Sequence, residues 1–195
     1  MDIDVLLFDG FDELDVVGPF EVLASARDLG AMISIALVGV DGADPVTAAH
    51  GLRVLPDGAA GDRRPDLYVV PGGGWNTRGP FGARAEVERG VLPGKLAEWH
   101  AGGIPLASIC TGALIVGAAG LLRGRRATTH HENLDDLAAM GAEVISGRVV
   151  DDGDIISAGG VTSGLDLALY LVEREAGREL ADRVAADIEY TRRTG

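Results

Sequence analysis

Hydrophobic positions along this chain switch repeatedly between a short apolar run and a helical period. Asp2–Phe8 reads as a strand, and apolar residues at Val17, Phe20, Val22, Leu23 and Ala26 carry a helix over Val16–Leu29, with Gly30 as its stop. Ile33–Val40 is the second strand. Leu67–Val70 is a fully apolar run that ends in Pro71, Gly72, Gly73 and Gly74, followed by a polar loop and a helical stretch from about Ala83 to His100, closed by Gly102–Gly103. Ile104–Ile109 is strand-like, breaks at Cys110, and gives way to a small-residue helix running to about Ala119. Smaller pieces follow. Ala127–Thr129, Glu143–Ile145 and Arg148–Val150 read as strands, Glu132–Met140 as a helix, and the acidic turn Asp151–Asp154 feeds a strand over Ile155–Ala158. Thr162–Glu175 is a strongly apolar helix, Gly177 breaks it, and Glu179–Tyr190 is a last amphipathic one.

Strands alternating with helices imply βαβ units and a mostly parallel sheet covered on both faces, so the fold class is α/β in three layers. No Pro/Ser-rich linker or internal repeat interrupts the pattern, and the polar stretch Pro56–Asp66 is too short to divide domains. One domain over residues 1–195 is expected. A composition of 47% hydrophobic and 24% charged residues suits a compact globule. No apolar run approaches the roughly 18 residues that span a bilayer, and no charged start leads into an export signal, so a soluble, cytoplasmic protein without membrane contact is expected. The formal net charge of −13 repels polyanions. Lys95 is the only lysine, and the runs Arg63–Arg64, Arg123/Arg125/Arg126 and Arg192–Arg193 are short and scattered, which argues against nucleic-acid binding.

Cys110 is the only cysteine of the chain. It can pack, react between molecules, or catalyse; free cysteine is also among the most buried residue types. Its place at a strand-to-helix break is where a nucleophile projects from the carboxyl end of a parallel strand, toward a helix whose positive end favours a thiolate. Ligands bind at that end of such sheets. Four strand ends carry chemistry there: Asp12, Glu13 and Asp15; the Pro71–Gly74 turn; Cys110; and Thr128, Thr129, His130 and His131. A carboxyl beside a thiol can shuttle a proton, a glycine turn can offer N–H groups to an oxyanion, and an imidazole can serve as base or acid. Each also has an ordinary use, as helix cap, turn or surface group. Trp75 reads first as a packing residue and second as a pocket wall. Glu21 and Asp166 read as structural hydrogen-bonding groups, with Ser163 and Asp166 spaced as a capping box. One cysteine and two adjacent histidines do not make a zinc ligand set.

At these residues the chain resembles the PfpI/ThiJ superfamily of the class I glutamine amidotransferase-like fold, a flavodoxin-like sandwich with a nucleophile elbow. The resemblance is carried by Leu14–Leu23, Val69–Gly73, Ser108–Gly112, Gly120–His130 and Ala158–Leu169, in order and over nearly the whole chain. Within it, the chain looks most like isonitrile hydratases and the amidase-like domain of AraC-type regulators. The resemblance implies Cys110 as the elbow nucleophile, Asp15 as the acid approaching its sulfur, and Thr111 as the threonine that follows it in isonitrile hydratases. Gly73 and Thr111, with Gly72 beside them, would offer backbone N–H groups at the oxyanion position. His130 matches a histidine near the cysteine in several relatives. His131 stands where the hydratases and regulators often carry tryptophan, so His131 and Trp75 are the candidate substrate walls. Thr111 replaces the histidine that peptidase-like members carry after the cysteine, which argues against a peptidase. The resemblance thus implies a cofactor-free, metal-free hydratase of a small molecule, working as a homodimer. Glyoxalase or deglycase chemistry, with His130 as base, and a non-enzymatic redox sensor built on an oxidisable Cys110 are the alternatives.

Overall fold

The computed structural model describes residues 1–193. Its frame is a seven-stranded sheet. In chain order the elements are β1 (Asp2–Leu7), α1 (Glu13–Asp28), β2 (Ser34–Gly39), β3 (Val46–Thr47), β4 (Arg53–Val54), β5 (Gly58–Ala59), β6 (Leu67–Val70), α2 (Ala83–Arg89) and α3 (Val91–Ala101). There follow β7 (Leu106–Ile109), α4 (Gly112–Ala118), β8 (Arg126–Ala127), α5 (Leu134–Ala139), β9 (Glu143–Val144), β10 (Val149–Asp151), β11 (Ile155–Ala158), α6 (Ser163–Ala176) and α7 (Arg178–Asp187). The sheet order is β10-β11-β7-β6-β1-β2-β5, parallel throughout except for the antiparallel edge pair β10/β11. Helices α1, α6 and α7 pack together, and α2, α3, α4 and α5 form the other group of contacting helices. The expected α/β sandwich with a mostly parallel sheet is the fold observed.

The chain leaves β1 toward β2 on one side and later returns to β6 on the other. The loops after β1 and β6 therefore diverge at a topological switch point, the place where open α/β sheets bind ligands. Cys110 follows β7, the strand next to β6, so its strand end adjoins that crevice.

Close backbone approach fixes the crevice floor. A Cβ on Gly112, the first residue of α4, would stand 2.2 Å from the Val70 carbonyl oxygen and 2.8 Å from that of Pro71. Both neighbours are backbone and cannot swing away. Gly112→Ala is expected to lower stability by about 2–3 kcal/mol, the upper range for overpacking, read as a reduced denaturant midpoint at unchanged slope. On the opposite face, α1 meets α6 through small surfaces. A Cβ on Gly164 would be 3.3 Å from the Pro19 ring, and one on Gly18 would be 3.3 Å from Leu165.

Several boundaries differ from the sequence reading. The helix expected over Ala83–His100 is two helices, because Gly90 sits at φ +74° and ends α2 before α3 begins. The strand expected at Ala127–Thr129 ends at Ala127, and His131–Asn133 is a single 3-10 turn before α5. The β3/β4 hairpin and β5 were not anticipated; two-residue strands give no periodicity to read. The capping box at Ser163 and Asp166 is not formed. Thr162 is the cap residue of α6, and its hydroxyl accepts from Arg148, whose guanidinium also binds Asp166. Asp166 further accepts from the Tyr190 hydroxyl and the Arg193 N–H, both at 3.0 Å, so it is a structural hub. Glu21 is exposed.

Candidate active site

Cys110 sits at φ +54°, a left-handed conformation that costs a non-glycine residue about 1–3 kcal/mol. The turn is held on both sides. Its N–H donates to the carbonyls of Ala158 and Gly159, at 3.1 and 2.9 Å, and its carbonyl accepts from the Thr129 hydroxyl at 2.7 Å. A second strained residue faces it: Val161, β-branched, at φ +33°. The N–H groups of Val161 and Thr111 are the backbone donors that act on the Cys110 sulfur.

Asp15 reaches the same place from the first turn of α1. Asp12 caps that helix through Leu14 N–H (3.1 Å) and ties itself to the glycine turn by donating its own N–H to the Gly72 carbonyl (2.9 Å). Asp15 is completely buried. Its Oδ2 accepts from Gly72 N–H at 2.8 Å, while Oδ1 is buried without a hydrogen-bond partner among the described residues. Burial is the first cause that drives the Asp15 pKa well above the ordinary carboxylate range, and the charge of Asp12 adds to it. The Cys110 thiol, only 6% exposed, is pushed up to about 12, first by burial and second by the charge of Asp15. Desolvation thus outweighs the pull expected from α4, and the resting sulfur is a neutral thiol rather than a thiolate.

The glycine turn is engaged within the protein. Gly72 N–H is bound by Asp15, and Gly73 N–H donates to the Thr111 hydroxyl at 2.9 Å. A Cβ on Gly72 would lie 2.5 Å from Thr111 N, so only glycine lets the turn approach the elbow this closely. Asp15, Gly72, Gly73, Thr111, Cys110 and Thr129 therefore form one connected set at the sheet rim.

His130 is half-buried and packs on Gly160, where an added Cβ would stand 2.5 Å from its ring. Burial first, and the neighbouring His131 second, lower its pKa and favour the neutral imidazole. His131 is exposed, its ring centroid 4.3 Å from that of His130. Both line a cavity of about 420 Å³ with Gly160, Val161 and Arg148. A larger cavity, about 680 Å³, lies among the loops after β1, β3 and β6 and is lined by Asp9, Asp12, Ala48, Gly74 and Phe81 among others. Trp75 lines neither. Its indole N–H donates to Asp136 at 2.7 Å, Arg84 stacks on its ring at 4.3 Å, and the side chain is buried. It fastens the loop after β6 to α5, with no part in the wall of either of these two cavities. Asp9, Asp12 and Val161 went unassigned from sequence. Asp12 read only as part of an acidic cluster, and nothing in a lone valine announces a strained N–H donor.

A profile of the DJ-1/PfpI family matches residues 1–174, a span that includes Asp15, the glycine turn, the elbow and His130. The chain belongs to the DJ-1/PfpI family. It is 37% identical over 191 residues to an isonitrile hydratase of Pseudomonas putida, covering 97% of this chain and 78% of that one. A deglycase of Thermococcus kodakarensis is 32% identical over 161 residues, 81% of this chain and 89% of the relative. Among solved structures, a THiJ/PfpI family protein from Pseudomonas syringae superposes with a TM-score of 0.85 at 32% identity, over 98% of this chain and 76% of that chain. DJ-1/PfpI relatives thus include enzymes of more than one chemistry. Among the described residues no helix is long and apolar enough to cross a membrane, and no cluster of potential metal ligands is found.

Proposed function

We propose that this family member is a cysteine-dependent hydratase that adds water to an isonitrile, giving the N-substituted formamide. The observation that carries the reading is the Asp15 carboxyl: buried, held toward its neutral form, and with one oxygen unpaired among groups that act on the Cys110 sulfur. The terminal carbon of an isonitrile bears a lone pair and must be protonated as a nucleophile joins it. A neutral carboxyl is an acid suited to that step. Asp15 gives its proton to the carbon while the thiol sulfur bonds to the same atom, and the thiol proton replaces the one Asp15 lost. The product is a thioimidate, R–N=CH–S–Cys110. Water adds across C=N, and the tetrahedral adduct expels the sulfur, which recovers its proton and frees R–NH–CHO. Thr111 and Val161 N–H groups receive the departing sulfur. No cofactor or metal enters the balance. A homodimer belongs to this reading and is carried by the family resemblance; a cytoplasmic setting belongs to it through the lone thiol and the expectation, from the sequence, of no export signal.

Formation of formamide from a simple alkyl isonitrile, followed by chromatography, tests the activity; absence of turnover rejects it. The second reading, conversion of an α-oxoaldehyde to a hydroxy acid, is supported by the neutral His130 beside Gly160 and by the deglycase relative. Lactate from methylglyoxal without glutathione would establish it instead. The neutral, buried thiol weakens a redox-sensing role, because oxidants react with the thiolate.

A further inference from the structure

We infer that the cavity among the loops after β1, β3 and β6 is an entrance to Cys110 that selects a substrate carrying an organic cation, such as an alkylammonium group. The inference rests on the reading that Cys110 is the reacting atom, and it adds the chemical class of the substituent. The cavity, about 680 Å³, is large enough for a substituted small molecule. Its connection to the elbow runs through Asp12. This residue lines the cavity, is hydrogen-bonded to the Gly72 carbonyl, and stands close enough for its charge to act on Asp15 and on Cys110.

The lining sorts charges. Asp9 Oδ1 accepts from Thr47 N–H (2.8 Å) and Asp12 Oδ1 from Leu14 N–H (3.1 Å), which leaves the second oxygen of each carboxylate without a protein partner among the described residues. Among the described residues no lysine or arginine lines the cavity. Its one imidazole, His50, is 2.7 Å from Glu13 Oε2, so any positive charge it carries is met by that carboxylate. Apolar walls come from Ala48 and Ala49, and Phe81, 58% exposed, offers its ring at the same cavity. Two part-free carboxylates, an aromatic face and no competing cation attract an organic ammonium and repel a carboxylate or phosphate.

Cys110, as the only thiol, reports directly on this route. Intact-mass labelling rates are measured at low salt with a trimethylammonium-ethyl, a neutral methyl and a sulfonatoethyl methanethiosulfonate, each divided by its rate with mercaptoethanol. The ratio cancels the thiolate fraction and requires no turnover, so it fails or succeeds independently of the formamide assay. The cationic reagent is expected to lead the anionic one by about tenfold or more. That lead should shrink severalfold in Asp9→Asn/Asp12→Asn and persist in Glu179→Gln/Asp187→Asn, which removes the same charge from α7. Asp9→Asn alone leaves the α1 cap intact and serves if the double variant does not fold. Equal normalised rates, a lead unchanged by the cavity variants, or no labelling of folded protein by any reagent overturns the inference.

Discussion

Cys110→Ala is expected to reduce formamide formation by about three orders of magnitude or more, since no other group in the chain can form the thioimidate. The loss should appear in kcat and kcat/KM together, because the sulfur makes a bond and not merely a contact. Stability separates this variant from a second one. Alanine keeps a Cβ at φ +54°, whereas glycine takes that conformation freely. Cys110→Gly should be equally inactive and about 1 kcal/mol more stable than Cys110→Ala by denaturant unfolding. Activity surviving in both variants removes the nucleophile from the proposal; equal stability removes the strain from the elbow.

Asp15→Asn is expected to move activity and stability in opposite directions. The amide can still accept the Gly72 N–H but holds no acidic proton, so turnover should fall by about two to four orders of magnitude. The folded-state pKa of Asp15 lies above its unfolded value, so its ionisation opposes folding. Below the unfolded value, near pH 4, both states keep the proton and nothing is lost. As pH rises from there toward the folded value, the wild type loses stability. The amide removes this penalty. At pH 8 the variant should be more stable by about 1–3 kcal/mol, the range for relieving an unsatisfied buried group, and its stability should vary less with pH. The wild-type rate should fall as pH rises through the Asp15 pKa. A variant destabilised at pH 8 would show that Asp15 is buried as a paired carboxylate.

The parts of this fold that were legible in the sequence are those that repeat over several turns or strand residues. The apolar runs Leu67–Val70 and Ile155–Ala158 are strands with those same limits, and the long helices fall within a few residues of their expected span. Gly90 shows why the stretch after Ala83 misled: a glycine inside an otherwise helical pattern can be tolerated or can take a positive φ, and only tertiary context decides. The residues around Cys110 could be named from their strand ends, because the topology collects those ends at one rim. Their electrical state could not. The short helix α4 suggested a thiolate, yet burial and the proximity of Asp15 set the sulfur the other way, and both depend on distances between segments far apart in the chain. Trp75 followed the same logic: its neighbours Arg84 and Asp136 decide that it is a fastening, and Asp136 lies 61 residues away in sequence.

The fastening at Trp75 has an optical consequence. The chain holds two tryptophans, and the other, Trp99, is stacked on Tyr68 at 4.3 Å in a different part of the molecule. In a Trp99→Phe background all indole emission comes from the loop after β6, which also supplies Gly72 and Gly73 to the elbow. The indole is gripped by a carboxylate and a guanidinium, so small movements of either alter its emission colour. Trp75 is thus an intrinsic lamp on the loop that reaches the elbow, expected to follow ligand arrival there in real time without a label.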